Sequence, residues 1–463
     1  MTIAATQQEL GNYLEAFSAF EKTAAGARLP WLRDLRARAF ARFCEVGFPT
    51  LHTEDWRFTN IAPIVNTKFR LAPNRGEAVS PAQIERYTIP ESACRLVFVN
   101  GYFAPALSSV EILPPGAIAG SLSEQIAKNP QRAESHLGRY LNTERDAFCA
   151  LNTAFLEDGA FVFVPKGTVV DRPVYLLFVT IGDHTPTITN PRNLIVAESG
   201  SQLAVIEDYI SLDNSVGLCN SATELVVGEN ANVSHYYIER EHEKAFNIST
   251  LRIQQARSSN VSSHSVLIGG ALVRNNVHPV LAGEGAECLI NGIFVGRGRQ
   301  HLDNYMLVEH ASPHCSSRQF YNGILDDHAH GVFHGRIIVH KDAQKTDAKQ
   351  TNRNLLLSDD AQIDTKPQLE IFADDVKCTH GATIGQIEEN ALFYLRSRGI
   401  SEAAARQLLL LAFASECLDR MKEDSPREYA EKMIHEHVFG MGRQHSTASL
   451  KASDAGRNWE EAQ

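Results

Sequence analysis

The chain has 463 residues, a formal net charge of −11 at pH 7, 43% apolar residues and 21% charged residues. Such a length exceeds one ordinary compact core and predicts two or three domains, unless the architecture is repetitive and grows along an axis. The acidic balance disfavours broad binding to nucleic-acid backbones, which requires clustered Lys and Arg. The longest apolar run, residues 408–414, is far shorter than a membrane span. We therefore expect no nucleic acid and no membrane among its partners.

The first segment, residues 1–158, has the pattern of a helical or mixed domain. Apolar residues recur at helical spacing behind Pro30, and Gly47 is a suitable stop. No basic stretch followed by an apolar core opens the chain, so we expect no secretory signal. Eight scattered cysteines without a CxxC pair are typical of reduced thiols, which predicts a cytoplasmic protein. They are Cys44, Cys94, Cys149, Cys219, Cys288, Cys315, Cys378 and Cys417.

The residue pattern changes after Gly159. Residues 159–385 contain many short runs of β-branched and aromatic residues, separated by Gly, Asn, Asp and Ser turns, with almost no helical periodicity. Small or polar turns precede new strands at spacings of roughly 25 to 30 residues, although the last spacing is about twice as long. These turns are Gly200-Ser201, Asn230-Ala231, Ser259-Asn260, Gly285-Ala286, His310-Ala311 and Asp360-Ala361. A repeat of this size favours a β-solenoid over a jelly roll or a large sandwich.

The chain returns to a helical pattern after the β-rich stretch. Ser401 is a candidate N-cap for one segment, and Ser425 opens a capping box with proline at the first helical position. Apolar residues surround the helix at 408–413 almost completely, which indicates burial or a partner surface. We therefore divide the chain into a helical or mixed domain at 1–158, a β core at 159–385 and a helical domain at 386–442. The polar tail at 443–463 is expected to be disordered.

The motif Cys378-Thr379-His380-Gly381 is the main candidate site. On an extended strand, Cys378 and His380 would point to the same face, with the thiol and the imidazole about 7 Å apart. Both groups are ligands of iron, zinc and copper, but two ligands cannot close a tetrahedral site. The pair is therefore half of a metal site, or a buried thiol beside a structural imidazole. A Cys-His nucleophilic pair is disfavoured, because side-by-side strand neighbours rarely have the required hydrogen-bond geometry.

Histidine is concentrated in one stretch, which holds seven of the eighteen histidines. His328 and His330 would share a face if this run is extended, which permits a metal site. No acidic or thiol partner has a matching spacing, so exposed or hydrogen-bonded strand positions are the favoured interpretation. The seven residues are His301, His310, His314, His328, His330, His334 and His340.

Several catalytic motifs do not occur in the sequence. It contains no GxxxxGK[ST] loop, so we do not expect this chain to hydrolyse ATP by that route. It also contains no GxGxxG between a strand and a helix, no HExxH and no GxSxG. A strand-rich solenoid without a nucleophile or nucleotide motif predicts a scaffold rather than an enzyme.

Long segments of the chain resemble a known family. The stretch at residues 331–400, with DTKPQLEI and ADDVKCTHGATIG, closely resembles the SufD family of the Suf iron–sulfur cluster assembly machinery. The likeness extends upstream through DAFCALNTAFLEDGAFVFVPKG to HTEDWRFTNIAPI, so that it covers most of the chain. In the paralogous SufB family, the stretch matching Thr351-Asn352-Arg353-Asn354 carries a cysteine used in cluster building, where this chain has Asn352. The resemblance is therefore to SufD rather than to SufB.

The resemblance implies a mainly β protein, with a right-handed parallel β-helix between an N-terminal helical domain and a C-terminal helical region. It implies a non-catalytic scaffold that pairs with SufB through the β-helix and docks on the ATPase SufC through the C-terminal helices, with ATP hydrolysis in SufC. Iron or a nascent iron–sulfur cluster would be held transiently at the SufB–SufD interface. The family's histidine in the KC-x-HG motif falls on His380, and Cys378 is the thiol of the same motif. No role transfers to the histidine-rich stretch.

A two-ligand half-site is reasonable at a heterodimer interface, because the partner can supply the remaining ligands and a transient cluster must leave. Whether His380 meets iron, sulfur or a cluster stays open, as do the role of Cys378, flavin binding and a homodimer of the isolated chain. Two alternatives come from other classes. A β-helix enzyme acting on polysaccharides would carry a groove of carboxylates and basic residues and normally a secretion signal. A homomeric structural solenoid would have no metal chemistry.

Overall fold

Most of the chain is built from strands that alternate between two sheets, as described by a computed structural model. It describes residues 7–89, 91–110, 113–182, 185–439 and 441, with side chains from residue 13 onward. The strands are β1 Arg70–Leu71, β2 Cys94–Val99, β3 Tyr102–Phe103, β4 Ser109–Val110, β5 Ile118–Ser121, β6 Ala160–Val164, β7 Val174–Thr180, β8 Thr187–Thr189, β9 Arg192–Ala197, β10 Gln202–Ser211, β11 Gly217–Val227, β12 Asn232–Arg240, β13 Phe246–Gln255, β14 Asn260–Leu267, β15 Leu272–Leu281, β16 Glu287–Gly296, β17 His301–His310, β18 Ser316–Leu325, β19 His330–Val339, β20 Asp347–Leu356, β21 Gln362–Ile371 and β22 Lys377–Gly385. The helices are α1 Gln7–Phe20, α2 Pro30–Val46, α3 Ala62–Val65, α4 Pro81–Ile84, α5 Leu122–Lys128, α6 Pro130–Glu134, α7 Ala147–Ala154, α8 Glu389–Ser397, α9 Glu402–Leu418 and α10 Asp424–Val438.

From β9 onward, odd-numbered strands form one sheet and even-numbered strands form the other. The odd-numbered sheet runs β21-β19-β17-β15-β13-β11-β9-β6-β5, and the even-numbered sheet runs β22-β20-β18-β16-β14-β12-β10-β7-β2-β3. Each of these later strands pairs in parallel with the strand two places along the chain. The result is a β-solenoid of about seven turns with helices at both termini, which confirms the predicted mainly β fold class.

The solenoid repeats because one backbone turn recurs at a single corner. Gln202 pairs with Asn232 and Asn232 with Asn260, so that one turn takes about 30 residues. Two residues before each even-numbered strand from β10 to β20, the chain takes a positive φ between 53° and 71°. Each N–H at this corner donates to a carbonyl of the next turn. The corner residues are Gly200, Asn230, Ser258, Gly285, His314 and Lys345.

The inner faces of both sheets are buried, and helices cover parts of their outer faces. The space between them holds the largest apolar core, which includes the fully buried Val205, Phe294 and Phe333. Outside, α9 and α10 cover the even-numbered sheet, and α2 and α7 cover part of the odd-numbered sheet. Strands buried on both faces are expected to have nearly continuous apolar sequences, which is why the β-rich stretch contains so many apolar runs.

The predicted division into domains stays a prediction. The limits at residues 159 and 385 lie close to the start of β6 and the end of β22, but β2 and β5 from the first segment pair with β7 and β6 of the two sheets. The predicted tail at 443–463 lies outside the described residues. Within the described ranges, no helix is both long and apolar enough to cross a membrane, and no disulfide joins the cysteines.

Candidate functional site

Both sheets end at the same turn of the solenoid. The last strand of the odd-numbered sheet is β21, which pairs with β19, and the last strand of the even-numbered sheet is β22, which pairs with β20. On the opposite side, neither strand has a strand partner among the residues that the structure describes. Strand edges of this kind present unpaired N–H and C=O groups that another chain can join. We term β21, β22 and the turn between them the open end.

Large apolar side chains are exposed at the open end. Ile371, Phe372 and Ile384 are 40%, 62% and 52% exposed. Elsewhere along the solenoid the comparable strand positions are mostly buried. An exposed apolar group beside two unpaired strand edges is typical of a protein–protein contact surface.

Cys378 and His380 lie on the inner face of the terminal strand β22. In the register with β20, Cys378 is opposite Ala348 and His380 is opposite Gln350. Ala348 and Gln350 are both buried between the sheets, and side chains on one face of a strand are two residues apart. The two side chains therefore share a face, as the alternation predicts. Cys378 is half-buried against the apolar core, whereas His380 is exposed.

The two groups differ in their readiness to bind a metal. Burial raises the pKa of the Cys378 thiol, and the carboxylate of Asp347 raises it further, although a backbone hydrogen bond from Ala348 acts in the opposite direction. The thiol is therefore protonated at neutral pH, and it must lose that proton before sulfur can ligate a metal. His380 has an exposed imidazole that is accessible from the open side. Of the two, His380 is the better placed ligand.

The site is incomplete within this chain. Among the described residues, no group of three or more His, Cys, Asp or Glu side chains could hold a metal ion. A tetrahedral site needs four ligands, and Cys378 and His380 would supply two of them. Any further ligand has to approach from the open side of β22.

The histidine-rich stretch lies apart from Cys378 and His380, mainly on the odd-numbered sheet. His330 Nε2 lies 2.8 Å from Asp364 Oδ2, and His334 Nε2 lies 2.7 Å from Gln368 Oε1. Burial lowers the pKa of His301 to about 4. His328 lies in the turn before β19, so it does not share a strand face with His330. These contacts fit the favoured interpretation of hydrogen-bonded or exposed positions.

The solenoid contains buried polar side chains that the sequence pattern does not predict. Glu207 Oε1 lies 3.1 Å from His235 Nε2, and both residues are almost fully buried. Tyr209 and Thr223 donate hydrogen bonds to the same carboxylate. A polar residue at a strand position that faces the interior would indicate such a group. Which positions face the interior depends on the register of successive turns, which the sequence alone does not give.

The C-terminal helices bury one side and expose the other. Leu410, Ala414 and Leu418 of α9 are buried against the even-numbered sheet. In contrast, α8 has no buried residue. Three of the exposed apolar side chains of α8 and α9 form what we term the helical patch, namely Phe393, Tyr394 and Leu408 at 73%, 57% and 49% exposed.

Known proteins resemble this chain over nearly its whole length. Residues 178–413 match the family model described as SUF system FeS cluster assembly, SufBD core domain, and residues 7–176 match that of the SufBD protein N-terminal region. An iron–sulfur cluster assembly SufBD family protein of Synechocystis is 36% identical over 81% of this chain and 84% of its own length. The iron–sulfur cluster assembly protein SufD of Escherichia coli is 32% identical over 86% of this chain and 91% of its own length, and SufD of Bacillus subtilis is 25% identical over 92% and 97%. The resemblance to SufD is thereby confirmed, and the chain belongs to the SufBD family of iron–sulfur cluster assembly proteins.

Proposed function

We propose that this chain is a non-catalytic scaffold subunit for iron–sulfur cluster assembly, and that its open end pairs with the β-solenoid of SufB. The observation that carries the proposal is the position of Cys378 and His380 on the last strand, where both sheets end without a further strand among the described residues. Strand addition by a partner would satisfy the backbone edges of β21 and β22 and cover the apolar side chains beside them. The same contact would bring the partner's ligands to the half-site.

At this interface, His380 supplies one replaceable ligand to iron or to the forming cluster. The cluster is the cargo of the assembly, held transiently and shared with SufB, and this chain alone binds no cofactor tightly. Cys378 is the weaker ligand, because its thiol has a raised pKa and must first lose a proton. The chain works in the cytoplasm, an assignment that rests on its cysteine distribution.

The second partner is the ATPase SufC, which docks on the C-terminal helices and supplies ATP hydrolysis. The helical patch supports this docking surface, because its three large apolar side chains are exposed to solvent. Truncation after Ile400 is a poor test, since it would also uncover the buried face beneath α9 and α10. Substitution of exposed residues leaves that face intact.

The cluster-forming role is tested with the complete assembly. We would co-express this chain with SufB and SufC, purify the complex anaerobically and measure the rate of cluster formation for the wild type and for His380→Ala. The variant should form the complex normally and build clusters at least about 10-fold more slowly, since loss of a ligand weakens the site. His328→Ala, a second exposed histidine, should match the wild type. Wild-type cluster formation by His380→Ala would reject the ligand role, and failure of the wild-type chain to co-purify with SufB would reject the scaffold role.

The proposed SufC-docking surface is tested by introducing negatively charged residues into the helical patch. The double variant Phe393→Glu and Leu408→Glu should lose SufC and retain SufB in the same purification, because buried carboxylates are costly in an apolar contact. Leu14→Glu, which alters an exposed apolar residue of α1, is the control and should retain both partners. Retention of SufC by the double variant would contradict this surface.

A further inference from the structure

A hydrogen-bonded pair of buried amides lies directly below His380. Gln350 of β20 is opposite His380, and Gln319 of β18 is opposite Gln350. Each is only 2% exposed, and Gln350 Nε2 donates to Gln319 Oε1 at 2.9 Å. His380, Gln350 and Gln319 thus occupy equivalent positions on successive even-numbered strands. On the next strand inward, β16, the equivalent position is the apolar Ile290. Along this ladder of strands, His380 is the residue that follows the amide pair on the open side.

The amide of Gln350 is held in a defined place with one acceptor unused. Gln350 Oε1 is buried and has no hydrogen-bond partner within the described part of the chain. A buried carbonyl oxygen without a partner costs free energy, so its presence calls for a reason. Space for the amide is provided by Gly335 of β19, where an added Cβ would lie 1.7 Å from Gln350 Nε2. Gly335 and Gln319 together fix the side chain from two sides.

We propose that Gln350 is the positioning residue of His380. Neighbouring strands are about 4.8 Å apart, so Gln350 Oε1 is within reach of a ring N–H of the imidazole above it. Accepting that hydrogen bond fixes the ring orientation and leaves the other ring nitrogen unprotonated and directed to the open side. Histidines that ligate metals commonly donate their second N–H to such an acceptor. The inference rests on the proposed ligand role of His380 and adds the residue that orients it.

The test uses the complete assembly with SufB and SufC under anaerobic conditions. Gln350→Met keeps the length of the side chain and removes the carbonyl acceptor. It should leave the complex intact and slow cluster formation about 10- to 100-fold. Gln350→Glu keeps an acceptor. The amide nitrogen of Gln319 has no hydrogen-bond partner among the described residues, so it can rotate to donate to the new carboxylate. This variant should stay close to the wild-type rate.

Two controls separate positioning from general damage to the interior. Asn354→Leu changes a buried amide of the same strand that lies opposite Ile384, and it should assemble clusters at the wild-type rate. The double variant Gln350→Met with His380→Ala should be no slower than His380→Ala alone, because the glutamine acts only through the histidine. A rate loss from Asn354→Leu equal to that from Gln350→Met, or an additive double variant, would overturn the proposal.

The outcomes also separate this inference from the proposed function. Slow cluster formation by His380→Ala with a wild-type rate for Gln350→Met rejects the positioning role alone. A wild-type rate for His380→Ala rejects the ligand role itself. If Gln350→Met does not fold, nitrogen-15 spectra of histidine-labelled chain, assigned by comparison with His380→Ala, provide a second measurement. The His380 ring should occupy one tautomer in the wild type and in Gln350→Glu, and a mixture of tautomers in the wild type would contradict the proposal.

Discussion

Arg192 and Glu224 form an ion pair that is completely buried between the first segment and the solenoid. Arg192 Nη2 lies 2.6 Å from Glu224 Oε1, and neither side chain is exposed. Glu224 also accepts hydrogen bonds from the backbone N–H groups of Gly138 and Tyr140. Arg192 donates a hydrogen bond to the side chain of Asn152. These contacts satisfy most polar atoms of the pair, although Arg192 Nε has no hydrogen-bond partner among the described residues. The pair and its hydrogen bonds therefore stabilise the contact between the N-terminal region and the odd-numbered sheet.

Loss of one partner of this pair should strongly destabilise the chain. We expect Glu224→Ala to lower the free energy of unfolding by about 3–5 kcal/mol, because the guanidinium of Arg192 would stay buried without a counter-charge. Denaturant titration measures the change. Glu229→Ala removes the carboxylate of an exposed pair with Arg257, and it should cost less than about 1 kcal/mol. Similar losses from both variants would contradict the account of the buried pair.

A buried histidine should make stability depend on pH. Burial lowers the pKa of His310 to about 4, whereas an unfolded histidine titrates near 6.5. Below pH 6.5 this histidine binds a proton in the unfolded chain but stays neutral in the folded chain. The free energy of unfolding therefore falls as the pH decreases toward 4. His310 should contribute a loss of about 1.2 kcal/mol by pH 5.5 relative to pH 7. His310→Gln should remove this part of the pH dependence in denaturant titrations, and an unchanged slope would contradict it.

At the scale of single residues, the sequence predicts the half-site but not the groups below it. Cys378 and His380 follow from strand alternation and from a recognisable motif, and both need only local geometry. Gln350 lies thirty positions before His380, so its place beneath the imidazole depends on the length of a complete turn. Turn lengths vary along this solenoid, and a difference of one residue would move Gln350 to the other face.

The corners show how far sequence reasoning extends at the scale of elements. Gly200, Asn230 and Gly285 are residue types that tolerate positive φ, and they were recognised as turns. His314 and Lys345 adopt the same conformation without that signal. The predicted turn at Asp360-Ala361 precedes β21 of the other sheet, so the doubled last spacing results from the unpredicted corner at Lys345 and from a change of corner. The hydrogen-bonded stack of corners holds His314 and Lys345 in this conformation. Tertiary context thus overrides local preference at these two positions.

The helix ends show the same contrast. Ser401 caps α9 as predicted, because its side chain accepts the N–H of Ala404. The capping box predicted at Ser425 was wrong, since α10 begins at Asp424 and its N-cap residue is Glu423. Local sequence alone does not distinguish an N-cap from a residue in the first helical turn when both neighbours are polar.

Corner strain can be tested at Gly285, whose φ is +70° and whose added Cβ would meet only an ordinary contact. Gly285→Val should lower the free energy of unfolding by about 1–2 kcal/mol, because a β-branched side chain is strained at positive φ. Gly285→Asn should cost less, since asparagine occupies the equivalent corner at residue 230. Denaturant titration of both variants provides the comparison, and equal costs would show that φ does not limit this corner.

At the scale of the whole molecule, stability should vary along the solenoid. Among the residues that the structure describes, the central strands have partners on both sides, whereas β21 and β22 have one strand partner each. Amide hydrogens on unpaired edges exchange quickly with solvent, and those inside a sheet exchange slowly.

Hydrogen exchange tests the proposed pairing with SufB directly. Amides of β21 and β22 in the isolated chain should exchange much faster than those of β14 and β16, and they should become protected when SufB is added. The central strands serve as the internal control, because their exchange should not change. Protection of β21 and β22 that rises with concentration in the isolated chain would instead indicate the homodimer, and unchanged exchange with SufB would exclude the open end as the contact.

The simultaneous ending of the two sheets limits what can bind there. The last strands belong to separate sheets, and stacked sheets lie about 10 Å apart. A single extended peptide can complete one edge and leaves the other exposed to water. Only a binder that offers two parallel edges with the same separation can complete both, as the end of another solenoid does. The separation of the two edges therefore disfavours binding of unfolded chains at the open end. Each edge alone would be prone to aggregation through strand pairing.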